Sequence, residues 1–264
     1  MTNSPQRIAL TIAGSDSGGG AGIQADLKTF ARFGVFGTSV ITAVTAQNTV
    51  GVRAWERVSP ALVRAQIDAV AEDLRPAAIK SGMLGDADVV RAVAAGVREH
   101  RLSPFVLDPV MVATSGDPLL ESDAVDAITS ELFPLATLVT PNLDEASLLV
   151  GAPVRDVDAM EQAARTMVER FGAQAALVKG GHLDGAALVD VFYDGTKVRR
   201  FMHARIDTPN THGTGCTLSS AIAALLAGEH SLESAIAEAL DFVHRAILTA
   251  PKLGAGHGPL NFFA

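Results

Sequence analysis

The sequence predicts an α/β protein whose central, mostly parallel β-sheet is flanked by helices on both faces. Three observations support this fold class. Short continuous apolar runs recur along the chain, longer amphipathic segments separate them, and two stretches break the alternation. Continuous apolar strands are typical of a parallel sheet covered on both faces, because each strand then lies between two layers of helices.

The strand candidates are short runs of apolar and β-branched residues. In chain order they are RIALTI, SVITAVTAQ, AAIKSGM, FVLDPVM, TLVTP and AALVKGG. The stretches 48–58 and 187–206 do not fit the βα alternation, and we expect them to be small added antiparallel strands. Asp194 and Gly195 in the second stretch form a dipeptide that favours a tight hairpin turn.

Helical segments alternate with these strands. They are predicted at 21–33, 60–74, 86–100, 122–132, 143–150, 157–171, 214–228 and 232–249. Ser59, Asp86 and Asp156 stand where an N-terminal cap is expected, the first of them directly before a proline. Since no repeat, low-complexity tract or long linker divides the chain, we expect one domain over residues 1–264.

Composition excludes several classes of protein. The chain has 264 residues, 48% of them hydrophobic, and a formal net charge of -8, without the clustered Lys and Arg that nucleic-acid binding needs. A single cysteine cannot form an internal disulfide, which favours a reducing compartment. The sequence also lacks a long apolar run, so we expect a cytoplasmic protein that binds neither membranes nor nucleic acids.

Ligands of open parallel sheets bind at the carboxyl ends of the strands, so the residues that follow each strand candidate matter most. In the first such loop, AGSDSGGGAGIQAD at 13–26, the four glycines Gly18, Gly19, Gly20 and Gly22 follow a strand and open a helix. These glycines permit either close backbone approach to a ligand or a flexible tight turn. The loop matches neither the dinucleotide pattern nor the phosphate loop of P-loop proteins.

The second loop, TPNLDEASLL at 140–149, places Asn142 and Glu145 on one face of a helix start. An amide and a carboxylate at this spacing can hold waters around Mg²⁺, or they can serve as a helix cap and a favourable first-turn charge. Lys179 and Asp108 end two further strands. Lys179 could face a phosphate or be a solvated surface charge, and Asp108 needs either a partner or a metal.

The last stretch with candidate site residues is HGTGCTLSS at 212–220, which contains the only cysteine of the chain. Gly213, Thr214, Gly215 and Cys216 would present the unpaired N–H groups of a helix start, which suits negative charge on a transferred phosphoryl group. The same positive helix end is expected to lower the pKa of the Cys216 thiol from about 8.5 towards neutrality, making it a proton acceptor. The alternative is a small buried hydrophobic residue.

Together the motifs resemble the ribokinase-like superfamily and, within it, the bacterial hydroxymethylpyrimidine/phosphomethylpyrimidine kinases. They are AGSDSGGGAGIQADLKTF, VTAQNTVGV, SGMLG, DPVMVATSGDPLL, TPNLDEA, VKGGH, THGTGCTLSSAIAA and GHGPLNF. The resemblance covers essentially the full chain. It implies a kinase that uses ATP and Mg²⁺ and commonly forms homodimers. Its reaction in thiamin biosynthesis is phosphorylation of 4-amino-5-hydroxymethyl-2-methylpyrimidine to the monophosphate and then to the pyrophosphate.

The resemblance also implies roles for individual residues. Pyrimidine contacts fall on Ala21, Asp26, Thr45, Gln47, Met83, Val110 and Cys216. ATP and phosphate contacts fall on Asp108, Asn142, Glu145, Lys179 and Thr214, with Mg²⁺ organised through water by Asn142 and Glu145. Gly213 and Gly215 match the anion hole and Cys216 the proton acceptor, a position that is Asp in most related sugar kinases.

Two departures from the family pattern are Thr45, where relatives carry an aliphatic residue, and Asp144, where a proline is common.

Two other functions stay open. One is a pyridoxine or pyridoxal kinase, whose substrate is also a small heteroaromatic alcohol. The other is a catalytically silent pyrimidine-binding regulator, against which the intact Asn142, Glu145, Lys179 and Cys216 argue.

Overall fold

The computed structural model describes residues 6–111, 122–181 and 187–264. Its strands are β1 (Ile8–Ser15), β2 (Phe36–Asn48), β3 (Gly51–Arg57), β4 (Ala78–Ser81), β5 (Phe105–Leu107), β6 (Leu138–Val139), β7 (Ala176–Val178), β8 (Ala187–Tyr193) and β9 (Val198–Ala204). Within the described residues these strands form one sheet in the order β3-β2-β1-β4-β5-β6-β7-β8-β9.

The centre of this sheet is parallel and both of its edges are antiparallel. Every neighbouring pair from β2 through β1, β4, β5 and β6 to β7 is parallel. β3 adds to one edge and the β8–β9 hairpin to the other, all by antiparallel pairing. The predicted fold class is therefore confirmed, as are the two sets of added strands.

The hairpin turn at Asp194 and Gly195 also forms as expected. Gly195 has a φ of +87°, and Asp194 Oδ1 accepts hydrogen bonds from the N–H groups of Thr196 and Lys197. A positive φ costs glycine little, and an Asp side chain readily accepts from the backbone two residues on.

The helices are α1 (Gly22–Arg32), α2 (Pro60–Asp73), α3 (Ala87–His100), α4 (Ser122–Ala127), α5 (Leu143–Val150), α6 (Val157–Glu169), α7 (Thr214–Ala227) and α8 (Leu232–Leu248). Ser59, Asp86 and Asp156 cap their helices through side-chain oxygens, as predicted. Predicted and observed ends agree within one or two residues for every helix except the one expected at 122–132.

That helix is α-helical only as far as Ala127. It continues as a π-helical turn, Ile128–Leu132, and a 3₁₀ turn, Phe133–Leu135. Thr129 and Ser130 donate their hydroxyls to backbone carbonyls of the preceding turn. Such bonds compete with the regular helical pattern, which is a physical reason for the change of pitch.

Two apolar cores lie on opposite faces of the sheet. Leu10 and Ile12 of β1 belong to the core that includes residues of α2, α3, α5 and α6, whereas Ala9 belongs to the core built with α1, α7 and α8. This alternation along one strand is the period of two that a doubly covered sheet requires. It leaves the carboxyl edge of the parallel strands to loops.

The strand predicted at 105–111 ends at Leu107, so Asp108 stands at the carboxyl edge of the sheet. Motif residues 112–120 and His182 lie outside the described part of the chain. Within the described ranges, no helix has the length and apolar character needed to cross a membrane.

Candidate active site

The first turn of α7 is shaped by Gly213. This residue has a φ of +83°, and a Cβ built on it would lie 1.9 Å from the carbonyl oxygen of Gly20. Thr214 donates its N–H and its hydroxyl to Thr211. Among the described residues, the N–H groups of Gly215 and Cys216 have no acceptor within hydrogen-bonding range. Within the described residues the turn therefore presents the N–H groups of Gly215 and Cys216 at the positive end of a helix, whereas the Thr214 N–H, which was also predicted to be unpaired, is bonded to Thr211.

Lys179 and Asp108 lie directly beside this turn. Lys179 Nζ is 3.0 Å from Asp108 Oδ1, which also accepts a hydrogen bond of 3.2 Å from Thr140. A Cβ on Gly215 would come within 3.2 Å of Lys179 Nζ and 3.4 Å of Asp108 Oδ2. Burial alone would lower the pKa of Lys179, but the carboxylates of Asp108 and Glu145 raise it. The ammonium is thus held charged next to the free N–H donors.

Asn142 and Glu145 form a capping box at the start of α5. Asn142 Oδ1 accepts from the N–H groups of Asp144 and Glu145, each at 2.9 Å, and Glu145 Oε2 accepts from the Asn142 N–H at 2.7 Å. The capping role that the sequence left open is therefore present. Because the amide oxygen is occupied, the group that Asn142 can offer to a ligand is its NH₂ donor.

Glu145 is a buried carboxyl group whose ionised form is disfavoured. Burial raises its pKa to about 7 and Asp108 adds to the rise, although Lys179 and the N–H groups of Asn142 and Met111 oppose it. A carboxylate in this position favours an additional cation nearby. This is the observation that fits Mg²⁺.

The residues of the site suit a Mg²⁺ ion that binds together with substrate phosphates. They do not form a complete set of protein ligands for a metal within the described part of the chain. The described residues contain no group of three or more His, Cys, Asp or Glu side chains placed to hold a metal. Mg²⁺ commonly takes one or two carboxylates and completes its shell with waters and substrate phosphates. Glu145 provides such a carboxylate.

Cys216 is partly buried, and its surroundings raise the pKa of its thiol, whereas the sequence predicted that the pKa would be lowered. Burial raises the pKa of its thiol to about 11; Lys80 and the N–H of Gly22 lower it, whereas Asp26 and Asp108 raise it further. The prediction of a near-neutral pKa was therefore wrong. Desolvation and two nearby carboxylates outweigh the helix end, whose effect considered alone points the other way.

Asp26, predicted to contact a pyrimidine, lies in a buried polar network. The residue has no exposed surface, and its oxygens accept hydrogen bonds from Thr11 at 2.6 Å, Ser220 at 2.6 Å and Lys80 at 3.0 and 3.1 Å. Lys80 is equally buried. The structure thus places the Asp26 carboxylate behind the site surface, where protein groups already satisfy it.

Met83 and Val110 do come together, in a small apolar cluster with Ala43 that is separate from both cores. Gly14 leaves room for this cluster, since a Cβ there would lie 3.1 Å from the Met83 sulfur. The adaptable thioether and a neighbouring glycine suit a flat aromatic ring. Two of the residues predicted to contact the pyrimidine thus share one surface.

Thr45 and Gln47 follow each other on one face at the end of β2. The Thr45 hydroxyl donates to Ser15 O at 2.8 Å and lies 3.4 Å from Gln47 Oε1. Gln47 Nε2 lies 3.4 Å from His212 Nε2. The Thr45 hydroxyl therefore fastens β2 to β1, and the long contacts of the Gln47 amide leave it available to a ligand.

The glycine loop is held by Asp16. Its carboxylate accepts from the N–H groups of Gly18, Gly20 and Ala21 at 2.7 to 3.0 Å and from His212 Nε2 at 2.9 Å. Burial would raise the pKa of Asp16, but the hydrogen bonds from His212 and the backbone lower it. The predicted substrate residue Ala21 is thereby fixed through its backbone, and the loop is ordered rather than a free turn.

Sequence comparison gives this geometry a family. A sequence profile for Phosphomethylpyrimidine kinase matches residues 16–261. The chain belongs to that family. The hydroxymethylpyrimidine/phosphomethylpyrimidine kinase of Rhizobium meliloti is 53% identical over 258 residues, which cover 97% of each chain.

Solved structures related to the family share the fold. A Bacillus subtilis pyridoxal kinase in complex with ADP matches with a TM-score of 0.90 and 37% identity over 98% of both chains. The phosphomethylpyrimidine kinase of Clostridium difficile matches with a TM-score of 0.82 and 39% identity, covering 92% of this chain and all of that one. The sheet described above is therefore the ribokinase-like fold that the sequence predicted.

Three residues of the site were missed from sequence. Lys80 had a signal, because a lysine inside the apolar strand AAIKSGM needs a buried partner. Asp16 directly precedes a glycine run, where a carboxylate can accept several N–H groups. His212 had no such signal, because its contact with Asp16 spans most of the chain and a local pattern could not reveal it.

Proposed function

We propose that this chain is an ATP-dependent hydroxymethylpyrimidine and phosphomethylpyrimidine kinase. It phosphorylates 4-amino-5-hydroxymethyl-2-methylpyrimidine to the monophosphate and then to the pyrophosphate, a reaction of thiamin biosynthesis. Family membership and a relative of that name at 53% identity support this proposal. We further propose that residues 1–264 act as one kinase domain in the cytoplasm.

One observation supports the chemistry most directly. The free N–H donors of Gly215 and Cys216 adjoin the Lys179–Asp108 pair at the carboxyl edge of the sheet. Two backbone donors and a partly buried ammonium make a preorganised site for a transferring phosphoryl group, whose transition state spreads charge over its equatorial oxygens. Thr214 belongs to the same turn.

In the first step the hydroxymethyl oxygen attacks the γ-phosphorus of ATP. The new O–P bond forms as the bond between phosphorus and the β,γ-bridging oxygen breaks, and ADP leaves. The alcohol proton passes to the thiolate form of Cys216, while Gly213 keeps the turn in place and Lys179 balances the phosphate charge. Because the thiol pKa is high, the thiolate is scarce but strongly basic.

Glu145 would contact Mg²⁺ through water, and the Asn142 NH₂ would donate to a phosphate oxygen or help to order that water shell. When bound, Mg²⁺ neutralises phosphate charge and orients the chain of phosphates. The apolar surface of Met83 and Val110 would hold the pyrimidine ring, with the Gln47 amide on its polar edge. Asp26 would act from behind this surface.

The test is ATP consumption by the purified chain with the pyrimidine alcohol, with products separated by ion-exchange chromatography. We expect the monophosphate first and the pyrophosphate afterwards. A Met83→Glu variant should raise the KM for the pyrimidine far more than the KM for ATP. Failure of the wild-type chain to turn over either pyrimidine substrate with ATP and Mg²⁺ would refute the proposed function.

A second candidate function is pyridoxal kinase, since a pyridoxal kinase of Bacillus subtilis shares the fold at 37% identity. The same assay with pyridoxal and pyridoxine separates the two. Turnover of pyridoxal with a higher kcat/KM than the pyrimidine alcohol would favour this candidate. Formation of a pyrophosphate product would favour the pyrimidine kinase, because vitamin B6 kinases add one phosphate.

We also propose that the chain forms a homodimer through the β2–β3 edge of the sheet. Val44 on β2, Val50 in the turn after it and Trp55 on the edge strand β3 expose 53%, 69% and 40% of their surface. Exposed apolar side chains on an edge strand favour association, because the strand also offers unpaired backbone groups.

A further inference from the structure

A buried ion pair of Lys80 and Asp26 lies one layer behind the surface of the site. Both side chains are fully buried, and Lys80 Nζ lies 3.0 and 3.1 Å from the two Asp26 oxygens. A buried ion pair is weak evidence for stability, because desolvation of the charges offsets their attraction. Its presence one layer behind the site therefore calls for another role.

The pair is tied to the helix turn that carries Cys216. Ser220, one helical turn after Cys216, donates to Asp26 Oδ1 at 2.6 Å. The N–H of Gly22, at the start of the helix that carries Asp26, acts on the Cys216 thiol and lowers its pKa. The helix that carries the thiol is thus tied to the ion pair through Ser220.

A second ion pair flanks the same turn from the other side. Ser219, next to Ser220, lies 3.4 Å from Asp108, the partner of Lys179. Consecutive serines of α7 therefore reach one buried carboxylate each. The charged groups that act on the thiol are Lys80 on β4, Asp26 on α1, Asp108 after β5 and Lys179 after β7.

We propose that Lys80 is a positioning residue for the kinase reaction: held by Asp26, it fixes the start of α7 and supplies the positive charge that lets the Cys216 thiol ionise. The proposal rests on the proposed role of Cys216. Consistent with it, Lys80 is the strongest influence that lowers the pKa of that thiol, and Asp26 acts in the opposite direction. Lys80 itself stays charged, since Asp26, Cys216 and Asp108 outweigh its burial and raise its pKa.

The test exploits the single cysteine of the chain, because alkylation by iodoacetamide then reports on Cys216 alone. The rate would be measured between pH 7 and 9 without substrates for the wild type and for Lys80→Met, Asp26→Asn and Thr11→Val. Alkylation requires the thiolate, and each unit of pKa changes its rate by about threefold once nucleophilicity is included. Thr11→Val is the matched control, since it removes a hydrogen bond to Asp26 without changing charge.

We expect Lys80→Met to slow alkylation by about threefold or more and Asp26→Asn to accelerate it similarly, with Thr11→Val within about twofold of the wild type. A purely structural pair predicts the same direction for both substitutions, since either would loosen the turn and expose the thiol. Shifts in one direction, no shift, or an equal shift in Thr11→Val would overturn the proposal.

If either single variant fails to fold, the double variant Lys80→Met/Asp26→Asn removes both charges and avoids an unpaired buried ion. It should be alkylated more slowly than the wild type, because the Lys80 influence exceeds that of Asp26. An unchanged rate would overturn the proposal. Turnover of ATP and pyrimidine is measured separately, so a failed alkylation pattern and an absent kinase activity are distinct results.

Discussion

At the scale of single residues, the site is governed by how buried charges compete around Cys216. The helix end and Lys80 favour a thiolate, whereas burial, Asp26 and Asp108 favour the thiol. With a pKa of about 11, the thiol is almost entirely protonated at pH 7. This balance leads to two predictions that separate the two phosphorylations.

The first prediction is that Cys216→Ala affects one step only. The alcohol must lose a proton as it attacks, but the phosphate of the monophosphate is already ionised above its second pKa of about 6. Alanine also keeps the backbone N–H. We expect kcat for the alcohol to fall by about 10²–10⁴-fold and kcat for the monophosphate to change little, measured with each substrate separately. Equal losses in both steps would assign Cys216 a binding or structural role.

The second prediction concerns pH. Below a thiol pKa of about 11 the thiolate fraction rises tenfold with each pH unit, so activity that needs this base increases as pH rises. We expect kcat/KM for the alcohol to climb from pH 7 to 9 and that for the monophosphate to stay nearly level. In Cys216→Ala, kcat/KM for the alcohol should no longer increase with pH. A level alcohol profile in the wild type would contradict the role of the base.

At the scale of elements, two helix starts carry the site: α7 with its anion-binding turn and α5 with its capping box. Both depend on local backbone chemistry that is visible in the sequence. What each start faces depends on packing, because Gly213 abuts Gly20 and the Glu145 carboxyl group feels the charges of Lys179 and Asp108. Each substitution at a helix start is therefore paired with a control substitution away from the site that has the same local cost in folding stability.

For α7 we predict that Gly213→Ala damages catalysis beyond its backbone strain. A Cβ there would meet the Gly20 carbonyl at 1.9 Å and push the glycine loop away from the turn. Gly34 is the matched control, because its φ of +70° carries a similar strain with no atom within 4 Å. We expect Gly34→Ala to lower the free energy of unfolding by about 1 kcal/mol with normal kinetics. Gly213→Ala should lose more stability and on the order of 10²-fold in kcat/KM.

For α5 we predict that Asn142→Ala combines a lost cap with weakened nucleotide binding. The loss of an N-cap side chain costs about 1 kcal/mol of folding stability. Asp156→Ala removes the cap of α6 and should cost about the same, as measured by urea unfolding. Only Asn142→Ala should raise the KM for ATP and Mg²⁺. Equal kinetics in the two variants would limit Asn142 to its capping role.

At the scale of the whole molecule, the sheet brings together residues that are far apart in sequence. The turn of α7, the end of β7 and the end of β5 meet because parallel strands place all their carboxyl ends at one edge. The antiparallel additions extend the sheet on both sides. Within the described residues, the β2–β3 side combines several exposed apolar residues with a sheet edge next to the site, which is the basis of the dimer proposal.

We predict that sedimentation velocity gives the mass of two chains and that Val50→Glu shifts it towards one. Met202→Glu is the control, since Met202 is 67% exposed on β9 at the opposite edge of the sheet. A charge introduced into an apolar interface is costly, whereas one on a free surface is not. A wild-type mass of one chain, or equal effects of the two substitutions, would contradict a dimer through β2–β3.

The sequence by itself determined the fold class, the helix and strand order, the caps and the glycine turn, since these depend on periodicity and on neighbours a few residues apart. It also placed Asp108, Lys179 and Gly213–Cys216 at one edge, because topology follows from the βα alternation. Only the tertiary structure decided the state of the charges. The thiol of HGTGCTLSS has a high pKa because burial, Asp26 and Asp108 outweigh Lys80 and the helix end. Asp26 meets Lys80 and Ser220 through contacts that span 54 and 194 positions of the chain, which a local pattern does not encode.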